Sequence, residues 1–209
     1  MPERLSEITE DIRTRMDALH KAREHALAEG RKIIQVSSRA IKHLHRRQQE
    51  QADELIAEVR ERVRAVVLRM EPFPSLKHAP YLQDSIKEYV EAVTFRALLR
   101  AEPLPAPGEL GVEPQAYLNG VCEAASECRR YALDELRHGR DEEAQRLVNE
   151  MEDVYDELLT FDFPDALTSH LRRNLDSLRG VLERTHSDVA LAAMQIKLVE
   201  ELKRAGKER

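Results

Sequence analysis

The stretch IKEYVEAVTFRALL, residues 86–99, decides the fold class and raises the main functional question. Its apolar residues recur at steps of three and four, which predicts an amphipathic helix. Phe95, Leu98 and Leu99 lie on the side opposite the main apolar stripe, so we expect this helix to be covered on two sides, the second by a subunit or by the wall of a cavity. The main stripe, extended upstream by one turn, comprises Leu82, Ile86, Tyr89, Val90, Val93 and Ala97.

Glu88 and Glu91 lie among the apolar residues of the second side. Because they are three residues apart, their carboxylates meet on the helix surface. In water such a pair costs only a few tenths of a kcal/mol, whereas each uncompensated charge buried against protein costs several kcal/mol. The pattern therefore predicts either a solvated face or a cation held between these carboxylates and another acidic pair.

The remainder of the chain repeats the helical pattern in long segments. The 209 residues fit a single domain, residues 1–209, and 34% charged residues with 4% aromatic residues are typical of helices with long solvated faces. No alternating strand pattern, internal repeat or glycine-rich phosphate loop is evident. We predict an all-α bundle of about six or seven helices, some longer than usual because the extra length serves subunit contacts.

Prolines and one glycine set the predicted helix boundaries. Gly30 is expected to break or kink the first segment, and the prolines of residues 72–80 and 102–114 indicate loops. The predicted helices span residues 3–29, 31–70, 81–100, 114–138, 141–160 and 167–203, with a candidate break in the last one near residues 185–187.

Net charge, cysteine placement and hydropathy limit the classes of protein to which this chain can belong. The net charge of −6 argues against a general nucleic-acid coat, although it does not exclude local basic clusters. Cys122 and Cys128 are six residues apart on one helix, so they cannot bridge each other and are interpreted as small buried side chains in a reducing cytosol. No apolar run approaches the roughly 18 residues of a membrane span. We expect a soluble, cytoplasmic protein without membrane contact.

The predicted fourth helix supplies a second acidic pair. Glu123 and Glu127 are four residues apart and share one side of this helix. Two helices that each bear a carboxylate pair can build an all-oxygen site, which favours Mg²⁺ or Mn²⁺ over zinc. Mg²⁺ held by a few carboxylates with retained water is typical of phosphoester chemistry. Such pairs also occur on solvated faces, so the residues alone leave both interpretations open.

Three segments resemble the translin superfamily, and within it the translin-associated factor X branch. They are EYVEAVTF (residues 88–95), YLNGVCEAASECRRYAL (117–133) and LRRNLDSLRGVLERTHSDVA (171–190), with a weaker match in QVSSRAIKHLHR (35–46). The resemblance covers about residues 30–200. It implies a helical-bundle protomer that assembles into a hollow barrel, and a Mg²⁺-dependent endoribonuclease that acts on single-stranded RNA inside it.

The resemblance also assigns the acidic residues. Glu88 and Glu91 match the acidic pair of the factor X branch, and Glu127 matches a glutamate of its GEL segment, here SEC. Glu123 stands where that branch has an aspartate, a change that lengthens the ligand by one methylene. All four are thus implied to be catalytic metal ligands for Mg²⁺, with Mn²⁺ as a substitute. The sequence nominates no general base.

The resemblance further implies partners. The eukaryotic enzyme pairs factor X with translin, whereas this chain is expected to assemble with copies of itself into a closed barrel of about six to eight subunits. The expected ligand is single-stranded RNA, with single-stranded DNA as a second candidate. Few aromatic residues interleave the basic positions, so sequence-specific reading is not expected.

Basic residues in three places are candidates for RNA binding. Arg39, Lys42, His43 and Arg46 recur at helical spacing and predict one basic face. Lys77 and His78 precede the acidic helix, and Arg130 shares the side of Glu123 and Glu127. The alternative for the first group is a solvated face balanced by the glutamates that follow it.

Two other function classes remain open. A non-catalytic translin-like protein would bind single-stranded RNA or DNA without turnover. An all-α nucleoside-triphosphate pyrophosphohydrolase would combine an ExxE helix, here Glu88 and Glu91, with an ExxD helix, here Glu150 and Asp153.

Overall fold

Six long helices and three single-turn helices form the regular structure of residues 2–207, which a computed structural model describes. For residues 2, 193, 196, 197, 200, 201, 203 and 205–207 the backbone alone is described. Within these bounds there is no strand, so the predicted all-α class is confirmed. The helices are α1 (Pro2–His45), α2 (Gln49–Met70), α3 (Pro74–Lys77), α4 (Pro80–Arg100), α5 (Pro107–Leu110), α6 (Pro114–Arg137), α7 (Asp141–Leu159), α8 (Asp165–Thr168) and α9 (Leu171–Lys207).

Helix α1 runs without interruption through Gly30, so the predicted break at this glycine is wrong. A Cβ atom added at Gly30 would lie 2.7 Å from Oγ of Ser85 in α4. The glycine therefore lies where two helices approach closely, a larger residue would displace the Ser85 hydroxyl, and the glycine does not end a helix.

The chain reverses at residues 46–48 instead, inside the predicted 31–70 helix. Arg47 has φ 60°, the left-handed conformation that commonly ends a helix. Its guanidinium donates to Oη of Tyr131 at 3.0 Å and pairs with the buried carboxylate of Glu135. Long-range contacts hold this boundary, which is why the local apolar pattern misplaced it.

Helix α4 lies at the centre of the bundle, against α1, α2 and α6. Its main stripe is buried, as Ile86 and Val90 show, and so is the opposite side, as Phe95 and Leu98 show. The prediction that this helix is covered on two sides is therefore confirmed, but the second side is covered by residues of the same chain and not by a subunit.

Gly120 allows α6 to approach α4 closely. A Cβ atom at this position would lie 2.6 Å from Cβ of Val90 and 2.8 Å from the backbone oxygen of Lys87. Both distances are shorter than a van der Waals contact, so any larger residue would push the two helices apart. One turn further along α6, the acidic residues of the two helices face each other.

The junction of α8 and α9 has an unusual backbone. Ser169 and His170 are consecutive non-glycine residues with φ 46° and φ 71°, so the predicted helix beginning at residue 167 is divided into α8 and α9. Helix α9 then continues through the candidate break at residues 185–187, which is wrong. Helices α3 and α5 lie in the segments predicted to be loops.

Both cysteines are buried and unpaired, as expected. Burial, with a smaller contribution from the charge of Glu123, raises the pKa of the Cys122 thiol to about 12. These side chains are packing residues and are not reactive thiols.

Two helix ends extend beyond the packed core. We call them the α1 extension, residues 3–21, which is exposed throughout, and the α9 extension, residues 191–202. No helix in the described part of the chain combines the length and the apolar composition that a membrane crossing requires. The exposed apolar residues of the extensions are Leu5, Ile8, Ile12, Met16, Leu19, Leu191, Met194, Leu198, Val199 and Leu202.

Candidate metal centre and nucleic-acid surface

Three of the four predicted carboxylates converge between α4 and α6. Glu88, Glu91 and Glu123 each offer one oxygen, and these oxygens lie within 4.8 Å of one another. Glu88 and Glu123 are half-buried, whereas Glu91 is 7% exposed. The close crossing at Gly120 brings the α6 carboxylate to the α4 pair.

Glu91 is the most perturbed residue of this acidic cluster. Burial raises the pKa of its carboxyl to about 8, and the charges of Glu88, Glu123 and Glu127 add to the effect. The carboxyl group of Glu91 has no hydrogen bond to any residue in the described part of the chain. A buried carboxyl surrounded by like charges destabilises the metal-free fold, and a bound cation would relieve this.

Lys87 partly compensates the cluster. Its Nζ lies 2.5 Å from Oε2 of Glu123 and 3.4 Å from Oε1 of Glu88. Burial alone would lower the pKa of Lys87, but the hydrogen bond and charge of Glu123 hold it above its usual value. One ammonium faces three carboxylates, so two formal negative charges remain when all three are ionised.

Two asparagines orient the other oxygen of Glu123. Nδ2 of Asn174 donates to Oε1 of Glu123 at 3.2 Å and to Oδ1 of Asn119 at 2.9 Å. Asn119 is buried and donates to the backbone oxygen of Thr168 at 2.7 Å. These bonds fix the rotamer of Glu123 and tie it to the α8–α9 junction, as outer-shell groups do at metal sites.

Glu127, the fourth predicted ligand, lies outside the group of three. Its Oε2 is 2.5 Å from Nε2 of His45, and the imidazole also contacts the ring of Phe95 at a centroid distance of 4.9 Å. The side chain of His45 is 4% exposed. Glu127 therefore forms its own pair at the edge of the acidic cluster.

An ionic network around the buried carboxylate of Glu135 holds the end of α1 against α6. Arg47 lies 4.7 Å from the centroid of the Tyr131 ring and, with Arg140, pairs with Glu135, which is 1% exposed. Burial alone would raise the pKa of Glu135, but the hydrogen bonds from Arg140 and Arg47 hold it below the usual range. Two residues upstream of Arg47, His45 is thereby positioned at Glu127.

The donor set fits a hard divalent cation. Three carboxylates on two rigid helices, one of them oriented by Asn174, are ligands that Mg²⁺ and Mn²⁺ accept. No thiol lies among them, and no cluster of three candidate ligands other than this one occurs in the described residues.

The predicted RNA-binding residues fall into two groups. Arg39, Lys42 and Arg46 are exposed and have no ion pair with a described residue, and Arg130 is likewise exposed beside Glu127 in a cleft of about 640 Å³. The others are His43, which bonds Gln48 at 2.7 Å, Lys77, which pairs with Glu71 at 2.8 Å, and His78, which is exposed.

The second acidic pair needed for a pyrophosphohydrolase does not join the cluster. Glu150 lies 3.6 Å from Arg146, and neither Glu150 nor Asp153 belongs to the group of three. The carboxylate that joins the Glu88–Glu91 pair is therefore Glu123 of α6.

Sequence patterns missed Lys87, His45 and Asn174. Lys87 is four residues before Glu91, a spacing that places both on one side of α4. His45 lies in the basic segment, where the interpretation favoured His43. Asn174 gave no local signal, because its contact to Glu123 spans 51 residues.

Comparisons with known proteins give one family model and one curated relative. The model of the Translin family matches residues 6–187. An uncharacterized protein of Methanocaldococcus jannaschii is 28% identical over 184 residues, which cover 87% of this chain and 81% of that protein.

Solved structures extend the likeness to three dimensions. The complex of AfC3PO with duplex RNA has a TM-score of 0.83 at 34% identity and covers 89% of this chain and 96% of that chain. AfC3PO itself has a TM-score of 0.82 at 33% identity, with coverage of 89% and 97%. Apo-NeC3PO, at 21% identity, a TM-score of 0.79 and coverage of 88% and 96%, shares the fold.

Proposed function

Because the chain belongs to the Translin family, we propose that it binds RNA and cleaves it as a Mg²⁺-dependent endoribonuclease. The observation that supports catalysis is the group of Glu88, Glu91 and Glu123 between two helices that cross closely. In a protein that only binds RNA, an acidic cluster without a cation would weaken binding, because it repels the phosphate backbone.

Glu88, Glu91 and Glu123 are proposed to hold Mg²⁺, or Mn²⁺ in its place. Such a cation supplies Lewis-acid polarisation of a phosphodiester oxygen and stabilises the charge that develops on it. Glu127 adds negative charge at the edge of this group while it remains paired with His45.

The surrounding residues prepare this site. Glu91 holds a proton at neutral pH, because the pKa of its carboxyl is about 8, and it releases that proton when a cation binds. Lys87 and Asn174 bind the two oxygens of Glu123, so the carboxylate is oriented before any ligand arrives.

RNA is the proposed substrate. AfC3PO, which is 34% identical, forms a complex with duplex RNA. Single-stranded RNA is proposed for this chain because its resemblance to the factor X branch implies that substrate, and exposed arginines beside the acidic cluster suit sequence-tolerant backbone contacts. Single-stranded DNA is an alternative ligand that a binding assay distinguishes.

A homo-oligomer, in the form of a closed barrel, is proposed for the assembly. The α1 extension exposes an apolar row in which Ile8 and Ile12 are each 48% exposed, and the α9 extension exposes a second row. Apolar rows of this kind on projecting helices indicate subunit contacts. A second copy of the chain would cover them.

The test is cleavage of labelled RNA. Single-stranded and duplex forms of one RNA are incubated with the protein in Mg²⁺ or EDTA, beside Glu123→Gln and, as a matched control, Glu54→Gln on the exposed side of α2. We expect internal cleavage in Mg²⁺ by the parent and by Glu54→Gln, and loss of it in EDTA or with Glu123→Gln. Retention of RNA without cleavage would instead support a binding protein.

A further inference from the structure

One face of α6 joins the acidic cluster to basic residues further along the helix. Its members recur at steps of three and four, which places them in a single row about 27 Å long. Glu123 lies near one end of the row and contributes to the acidic cluster. The row comprises Asn119, Glu123, Glu127, Arg130, Asp134 and Arg137.

A cleft lies on each side of the cluster along this row. The first, which we call the Arg173 cleft, has a volume of about 490 Å³ and includes Lys87, Glu123, His170 and Arg173. The second, the Arg130 cleft, has a volume of about 640 Å³. Its lining includes His45, Glu127, Arg130 and Arg137. Each cleft thus combines a carboxylate in or beside the acidic cluster with at least one arginine.

The carboxylates of these clefts are already paired. Glu123 pairs with Lys87, Glu127 with His45, and Asp134 in the Arg130 cleft accepts a hydrogen bond from Arg47 at 3.4 Å. Among the described residues that line either cleft, Asp84 is the one carboxylate that has no partner.

Four basic side chains of the two clefts are unpaired. Arg173 and His170 in the first cleft, and Arg130 and Arg137 in the second, are exposed. None of them has a side-chain hydrogen bond or ion pair to another described residue. The three arginine charges and the ring nitrogens of His170 are therefore available to an anionic ligand on both sides of the acidic cluster.

The backbone at His170 is held in an uncommon conformation. Ser169 and His170 both have positive φ, and the preceding carbonyl, of Thr168, accepts a hydrogen bond from Asn119 at 2.7 Å. The same asparagine bonds Asn174, which orients Glu123. The turn that presents His170 to the Arg173 cleft is thus fixed to the residues that fix the site.

We propose that the two clefts form one groove in which a single RNA strand crosses the acidic cluster. Arg173 and His170 bind backbone phosphates on one side, and Arg130 and Arg137 bind them on the other. The groove rests on the proposed RNA binding and does not require cleavage.

The test measures binding without turnover. A fluorescein-labelled oligouridine strand is titrated with the full chain in EDTA by fluorescence anisotropy, over a series of KCl concentrations. The variants are Arg173→Ala and Arg137→Ala, one from each cleft, and their double mutant. Arg179→Ala is the matched control, because it lies exposed on the same helix as Arg173 and lines neither cleft.

Each cleft variant is expected to weaken binding several-fold and to reduce the slope of log K against log salt by about 0.7, the value for one phosphate contact on a single strand. The double mutant should reduce the slope by about twice as much as either single variant, and Arg179→Ala should have the slope of the parent. Unchanged binding in either cleft variant, or no binding of oligouridine by the parent, overturns the groove.

Two further results separate this proposal from the nuclease. If the protein binds oligouridine through both clefts but does not cleave RNA in Mg²⁺, the groove is supported and the proposed catalysis is refuted. If the parent and both cleft variants cleave RNA with the same KM, the catalysis is supported and the groove is refuted. The groove is also overturned if the Arg173→Ala and Arg137→Ala variants weaken the binding of an RNA duplex but leave the binding of the single strand unchanged.

Discussion

Replacing Glu91 with glutamine should stabilise the metal-free protein at alkaline pH. The pKa of this carboxyl rises from an ordinary 4.5 to about 8 in the folded state. Between these values the folded protein binds a proton that the unfolded chain has released, so the free energy of unfolding falls by about 1.4 kcal/mol for each pH unit. The loss is complete above the folded pKa, where it reaches about 5 kcal/mol. Glutamine stays neutral and avoids it.

Urea unfolding followed by far-UV circular dichroism, in EDTA between about pH 5 and about pH 9, measures this effect. The parent should lose stability steadily up to about pH 8 and then level off, whereas Glu91→Gln should lack this slope and exceed the parent at the alkaline end. Glu54→Gln makes the same charge change at an exposed position and should follow the parent. Parallel curves for Glu91→Gln and the parent, or a less stable Glu91→Gln at pH 9, would refute the reasoning.

Three further outcomes follow from the same contacts. Lys87→Met should destabilise the protein in EDTA at about pH 8 by about 3 kcal/mol, because it leaves the cluster uncompensated, and Mg²⁺ should restore most of the loss; a loss that Mg²⁺ does not restore contradicts this. Gly120→Ala should cost about 1–3 kcal/mol and weaken the Mg²⁺-induced rise in Tm, since it separates α4 from α6; an unchanged thermal shift argues against the close crossing. The double variant Ile8→Ser, Ile12→Ser should lower the mass measured by light scattering while circular dichroism stays the same, and an unchanged mass removes the α1 extension from the interface.

Local signals predicted the middle of the fold well. The predicted helices 81–100, 114–138 and 141–160 nearly coincide with α4, α6 and α7, because a proline begins α4 and α6 and Gly139 separates α6 from α7. The α1–α2 boundary was misplaced because Arg47 adopts its left-handed conformation through contacts with residues on α6. No local pattern contains those contacts.

The acidic residues of the site were likewise visible in the sequence, but their arrangement was not. Helical spacing paired Glu88 with Glu91, and the oxygen ligands suggested a cation. That Glu123 joins this pair while Glu127 turns to His45 depends on where α6 crosses α4. This crossing is set by the absence of a side chain at Gly120, which the sequence does not connect to the site.

The measurement that tests the central claim most directly is the anomalous difference density of a crystal grown or soaked with Mn²⁺. The account predicts a peak within about 2.0–2.3 Å of one oxygen each of Glu88, Glu91 and Glu123, with the ammonium of Lys87 displaced from at least one carboxylate. A map without density at these three residues, in which Lys87 still pairs with Glu123 at saturating Mn²⁺, would contradict it.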